Sequence, residues 1–148
     1  MTKNLLFMSI IQQQPASKPG DKQYWGELHA AGRALAVAEA ALKYTGLTML
    51  VTETARQAAE QTRALQFFTA QQQLPIYSFP DWETLPYDNF SPHQDIISER
   101  LSTLFRLPRC SGGILIVPVP TLMHRLPPTH YVAGSSLVLE EGQSIDLD

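Results

Sequence analysis

An α/β fold with a parallel sheet covered by helices on both faces is predicted by this 148-residue sequence. Three observations predict it. Short apolar runs bounded by turn residues alternate with longer stretches whose apolar residues recur at helical spacing. That alternation calls for parallel strands, because each crossover helix returns the chain to the same end of the sheet. The length suits a single hydrophobic core. Right-handed crossovers then stack the elements into a three-layer, doubly wound arrangement.

The elements follow in order. Gly32 to Tyr44 reads as a helix: it is rich in alanine, places Leu35, Ala38 and Leu42 at helical spacing, and stops near Gly46. Leu47 to Val51 is an apolar run between turn signals, hence a buried strand. Thr52 can cap the next helix, with Glu53 at its positive end. That helix runs to about Ala70 and brings Ala58, Thr62, Leu65 and Phe68 towards one face. Ile76 to Phe79 is a second strand. Pro92 to about Leu107 is a helix that buries Ile97, Leu101, Leu104 and Phe105. Ile114 to Val119 (ILIVPV) is a third strand, closely following Gly112 and Gly113 and ended by Pro118 and Pro120. A short strand around Gln23 to Trp25 would make four.

The ends read differently. Residues 1–21 form a flexible or edge-packed arm, because MTKNLLFMSII leads into QQQPASKPGDK with no small-residue cleavage site of the kind a signal peptide carries. Residues 22–128 form the α/β domain. After Pro127 and Pro128 the pattern changes. Tyr131 to Glu140 alternates in a β-like way, with Leu137 and Leu139 on one face, so residues 129–148 read as the start of a second, small α+β domain. A β segment with no visible partner implies a piece of a longer protein.

Bulk properties exclude some classes. The net charge of −3 provides no overall basic footprint for nucleic acid. No apolar run approaches the roughly 18 residues of a membrane span. The lone Cys110 cannot form an internal disulfide, so a reducing cytoplasm is expected.

Four groups of residues could carry chemistry. The run Glu27-Leu-His-Ala-Ala-Gly32-Arg33-Ala34 precedes a helix, the setting of a phosphate-binding loop with the pattern GxxxxGK[ST]. Only Gly32 matches. Glu27 puts a carboxylate and a Cβ where the first glycine belongs. Arg33 replaces lysine, and Ala34 has no hydroxyl for magnesium. A nucleotide-binding architecture without nucleotide chemistry is what survives.

Ser91-Pro-His93-Gln94-Asp95 brings serine and histidine together but reads as a helix start, with Ser91 as cap, Pro92 first and Gln94 third in the helix, and Asp95 favourable in the first turn. A nucleophile-and-base pair needs an orienting third group, and none is identifiable, so no catalytic residue is assigned. Asp95 and Glu99 share a helix face, as magnesium ligands or, more simply, as a solvated face. His29, His93, His124 and His130 lack partners at zinc-ligand spacing, and no metal is assigned. Trp82, Tyr87 and Phe90, stiffened by Pro80 and Pro86, are a candidate interaction loop. Aromatics of that kind can stack on bases or anchor a partner, or pack beneath the loop for their large burial gain.

Two stretches go further. DWETLPYDNFSPHQDIISERLSTLFRLP from Asp81 and GGILIVPVPTLMHRLPP from Gly112, with WGELHAAG upstream, closely resemble the N-terminal region of the bacterial transcription-repair coupling factor family (Mfd). That region is similar to the excinuclease subunit UvrB. The resemblance implies a RecA-like domain in residues 22–128, related to phosphate-loop NTPases, interrupted by an inserted domain that Tyr131 onward enters. It implies a full-length protein that recognises RNA polymerase stalled at a DNA lesion, displaces it with an ATP- and Mg-dependent double-stranded DNA translocase of the helicase type, and recruits UvrA for nucleotide excision repair. The UvrB-like module is implied to have lost its ATPase motif and the DNA-gripping hairpin. This agrees with Glu27, Gly32, Arg33 and Ala34 as a vestigial phosphate loop and with no cofactor in this stretch. The UvrA-contacting surface would lie mostly beyond Asp148. The alternative is an active helicase or ATPase segment that binds nucleotide or DNA through this domain.

Overall fold

The computed structural model describes residues 18–84 and 87–135. Helix α1 (Ala30–Lys43), strand β1 (Leu47–Thr52), helix α2 (Ala55–Thr69), strand β2 (Ile76–Ser78), helix α3 (Gln94–Arg106) and strand β3 (Gly113–Pro118) follow one another. Two short helices, α4 (Val119–Leu122) and α5 (Thr129–Ser135), come after. The three strands form one sheet in the order β1-β3-β2, all parallel. Met49 lies opposite Leu115 across one ladder, and Tyr77 lies opposite the same residue across the other.

Strand β3 is central, and every one of its residues is buried. Its side chains alternate between faces. Ile114 and Ile116 join Ala34, Ala38, Ala41, Ala58 and Leu65, so α1 and α2 cover that face. Leu115 and Val117 join Phe79 on the other face, where Leu104 and Leu107 close over them from α3 and its end. The result is three layers with helices on both sides of a parallel sheet, as the alternation of elements predicts.

The helices use smaller residues than their pattern suggested. In α1 the buried positions are Ala34, Ala36, Ala38 and Ala41, while Leu42 is exposed. Methyl groups let α1 lie close to its neighbours, and the larger leucine is turned outward. In α2 the buried set is Ala58, Gln61, Leu65 and Thr69. In α3 it is Arg100 and Thr103, with Leu101 exposed. Thr103 donates its hydroxyl to the Ser78 carbonyl at the end of β2, at 2.6 Å.

Four local expectations are corrected. Thr52 does not cap α2. It is the buried last residue of β1, opposite Pro118, and its hydroxyl donates to the Thr54 carbonyl. Thr54 is the cap: its hydroxyl accepts from the Gln57 amide at 3.2 Å, and the Gln57 side chain accepts from the Glu53 amide. That is close to a reciprocal capping box. Ser91 does not cap α3. His93 does, its Nδ1 accepting from the Asp95 amide at 3.3 Å. Gln23 to Trp25 is not a strand: Tyr24 is exposed, and the Trp25 indole donates to the Gln23 side chain instead of joining a ladder. Thr129–Ser135 is helical rather than β-like, started by Tyr131 and Val132 amides donating to the Pro128 carbonyl. Leu137, Leu139 and the rest of that second-domain reading lie outside the described residues, as does most of the N-terminal arm.

One glycine is dictated by geometry. Gly113 opens β3 at φ +126°, and a Cβ there would come within 2.5 Å of the Pro75 carbonyl oxygen. That same oxygen accepts the Ile114 amide at 2.9 Å. Among the described residues no helix is long and apolar enough to cross a membrane.

Candidate functional site

The turn at Glu27 leads directly into α1, and among the described residues no strand precedes it. Glu27 itself takes φ 60°, the left-handed region that glycine enters at least cost. Gly32 has ordinary room around it, since an added Cβ would meet only Leu28 at 3.6 Å. Ala34 is fully buried in the core beneath α1, so a hydroxyl at that position would face Leu65 and its neighbours rather than a nucleotide. Arg33 is exposed and lines a cleft of about 250 Å³ at the carboxyl end of β1, together with Leu50, Val51, Thr52, Glu53, Gln57 and Gln61. The chain thus places Arg33 beside a cleft and takes Ala34 away from it.

The acidic pair and the histidines do not converge. Asp95 and Glu99 are both exposed on α3, and Asp95 sits 3.4 Å from His93. Among the described residues no group of three His, Cys, Asp or Glu side chains is placed to hold a metal ion.

The aromatic loop after β2 divides in two. Trp82 packs inward, half-buried, against α3. The Arg100 guanidinium lies between two rings, 4.2 Å from the centroid of Phe79 and 4.0 Å from that of Trp82. It also donates to the Pro80 carbonyl. Burial pushes the Arg100 guanidinium below its ordinary value, and the nearby Asp81 carboxylate pulls it back up. A planar guanidinium suits such a position, because it can stack on aromatic faces while its edge donates in plane. Tyr87 and Phe90 go the other way and are largely solvent-exposed; Tyr87 takes φ 72°.

A second cleft, of about 550 Å³, opens beside this loop. Trp82, Pro92, Ile97 and Met123 supply apolar walls, and Thr84, His124 and Arg125 supply polar ones. His124 Nδ1 stands 3.8 Å from Asp81 Oδ1, and both atoms are buried without a hydrogen-bond partner. Tyr87 and Phe90 are not among the residues that line this cleft.

The residues that hold this site together were only partly legible. Arg100 reads from sequence as one more charge on a helix. Its signal is positional: it falls three residues after Ile97 and four before Leu104, on the stripe that faces the sheet. Gln61 on α2 has the same signal, lying between Ala58 and Leu65.

Relatives place this arrangement in a family, although no family profile matches the chain. The transcription-repair-coupling factor of Escherichia coli (strain K12) is 44% identical over 131 residues, covering 88% of this chain and 11% of that protein. The Haemophilus influenzae protein of the same name is 39% identical over 140 residues, 95% of this chain and 12% of its own length. A Staphylococcus aureus (strain USA300) protein of that name is 29% identical over 101 residues, 68% of this chain. The chain spans only about a tenth of the length of these curated relatives. The likeness covers both the turn at Glu27 and the aromatic loop, and the chain belongs to the transcription-repair coupling factor family.

Proposed function

We propose that this chain is a non-catalytic scaffold segment, with a RecA-like fold, of a protein that displaces RNA polymerase stalled at DNA lesions and recruits UvrA to begin nucleotide excision repair. The carrying observation is identity of 39–44% to transcription-repair-coupling factors over most of the chain. The polymerase-displacing step belongs to an ATP- and Mg-dependent DNA translocase elsewhere in the full-length protein. UvrA recruitment belongs mainly to an inserted domain that the end of this chain enters. The setting is the bacterial cytoplasm.

The scaffold role is supported by the chemistry at the phosphate-loop positions. A triphosphate needs convergent backbone amides, a lysine and a hydroxyl to hold magnesium. Glu27 opposes the charge, and Ala34 is occupied in packing against the sheet. What α1 and α2 do is cover β3 and so keep the aromatic loop and α3 in register on the opposite face.

Isothermal titration with Mg-ATP tests the non-catalytic part. No saturable heat is expected, and saturable binding near micromolar affinity would replace the proposal with an active nucleotide-binding helicase segment. A pull-down with purified UvrA tests the recruitment part. Capture is expected by a chain extended through the inserted domain and not by these 148 residues.

A further inference from the structure

We infer that the loop between β2 and α3 is a docking surface for a basic polypeptide face of a second protein, one that offers aliphatic side chains among lysines or arginines. The inference stands apart from the family reading. It rests on Tyr87, Phe90 and the charges around them.

Tyr87 is fully exposed and Phe90 is 77% exposed. Only two residues separate them, so chain length alone keeps their Cα atoms within about 11 Å. One exposed aromatic is ordinary. Two in one short loop are different, because the fold offers apolar places nearby. Trp82 goes inward onto Arg100, while the cleft of about 550 Å³ beside it, with its apolar walls, takes neither Tyr87 nor Phe90. Tyr87 is also held at φ 72°, a region that bulky L residues avoid, and its ring gains no burial within the chain in return. Large, rigid rings in this state are what interfaces use as anchors. A neighbouring layer of the same domain would rest on strand residues, such as the exposed Met49 and Val51 of the edge strand β1. Tyr87 and Phe90 sit on a loop beyond the sheet, where a separate body meets the fold.

The surrounding charges choose between the two partners that exposed rings serve, nucleic acid and protein. From Asp81 to Glu99 the sequence carries Asp81, Glu83, Asp88, Asp95 and Glu99 and no lysine or arginine. Glu83, Asp88, Asp95 and Glu99 are exposed. Asp81 is spent inward, on Arg100 and towards His124. The adjoining cations do not reverse that balance. Arg100 is buried, His93 stands 3.4 Å from Asp95, and Arg125 and His124 line the neighbouring cleft. Stacking on bases brings phosphates close, and nucleic acid is held where lysines and arginines neutralise them. Here phosphates would meet carboxylates. A basic polypeptide face is attracted by the same carboxylates, and its aliphatic side chains cover Tyr87 and Phe90.

Titration of the 15N-labelled 148-residue chain with defined peptides, followed by amide NMR, tests this. The probe is acetyl-Lys-Leu-Leu-Lys-Lys-Leu-Leu-Lys-amide. It should shift the Tyr87, Asp88 and Phe90 amides saturably, with Kd on the order of 0.1–1 mM. Replacing its leucines by serine keeps the charge but removes the apolar contact, and should weaken binding at least about fivefold. Replacing its lysines by glutamate should abolish binding. Octathymidylate should leave those amides unmoved. In the chain, Tyr87→Ala with Phe90→Ala should weaken binding at least about fivefold, and Glu83→Lys with Glu99→Lys at least about threefold. All of these positions are exposed, so an unchanged spectrum away from the loop shows that the fold persists. An absence of saturable shifts at the three amides, equal affinity of either control peptide, or an unchanged Kd in either paired variant would each overturn the inference. So would saturable octathymidylate binding there, which would make the loop a nucleic-acid surface. The ATP and UvrA experiments do not bear on any of these outcomes.

Discussion

Arg100 stacks its guanidinium 4.0 Å from the centroid of the Trp82 ring, so a helix residue pins the loop that precedes its own helix. The other face of the guanidinium rests on Phe79 at the end of β2. One side chain thereby fixes strand, loop and helix relative to each other. Arg100→Ala removes two ring contacts and the donor to the Pro80 carbonyl, and is expected to cost about 2–3 kcal/mol. Arg100→Lys keeps the charge but not the planar stack, and should cost about 1–2 kcal/mol. Urea midpoints measure both, and a loss under about 0.5 kcal/mol for the alanine variant would contradict the clamp.

The two halves of the aromatic loop should respond differently to truncation. Trp82→Ala strips the clamp of one face and exposes the cleft wall, so stability should fall by about 2 kcal/mol or more. Tyr87→Ala and Phe90→Ala touch little within the chain and should stay within about 0.5 kcal/mol of the parent. Thermal melts of the three variants decide it. Equal losses across all three would mean that Tyr87 and Phe90 are held by the fold and are unavailable to a partner.

Helix starts offer a contrast between two similar-looking residues. Thr54→Ala should lower stability by about 1 kcal/mol, because it deletes the acceptor for the Gln57 amide. Ser91→Ala should have almost no effect, since His93 occupies the cap of α3. Denaturant titration of the pair would reverse this assignment if Ser91→Ala proved the costlier.

Gly113→Ala is expected to be severe. The added methyl would lie 2.5 Å from the Pro75 oxygen, on a backbone at φ +126° that L residues avoid. A loss of at least about 2 kcal/mol follows, with reduced soluble yield. Gly112→Ala, whose added Cβ meets only ordinary contacts near 3.5 Å, is the control.

Thr103→Val tests how α3 is seated. It preserves shape and removes the hydroxyl that donates to the Ser78 carbonyl, leaving that oxygen short of a partner. The expected cost is about 1–2 kcal/mol by chemical denaturation. A neutral result would show that apolar contacts from Leu104 and Leu107 suffice to hold the helix.

Periodicity made the architecture legible. The apolar runs at β1, β2 and β3 and the helical spacing between them are local properties, and they are enough to require a parallel, helix-covered sheet. What failed was tied to partners distant in sequence. Gln23 to Trp25 has strand-like composition, but a strand exists only where a neighbouring edge accepts it. Leu42 and Leu101 fit a helical stripe, yet the helices turn alanines, Arg100 and Thr103 inward because the facing surfaces demand close approach or donors. Thr52 and Ser91 are good caps by type and were displaced by two residues each, because the end of β1 and Pro92 set where helical geometry can begin.

By itself, the sequence determined the α/β layering, the absence of a phosphate-loop signature at Glu27, Arg33 and Ala34, and the family, since each depends on residue identity and short-range pattern. Only the tertiary structure decided which residues form surfaces. It turned Trp82 inward under Arg100 and left Tyr87 and Phe90 out. It buried Ala34, and it buried Gln61 Oε1 without a hydrogen-bond partner. Such outcomes depend on which groups from separate elements meet and on whether buried polar atoms find partners there. A one-dimensional pattern does not contain those meetings; the packing of α1, α2 and α3 across β3 creates them.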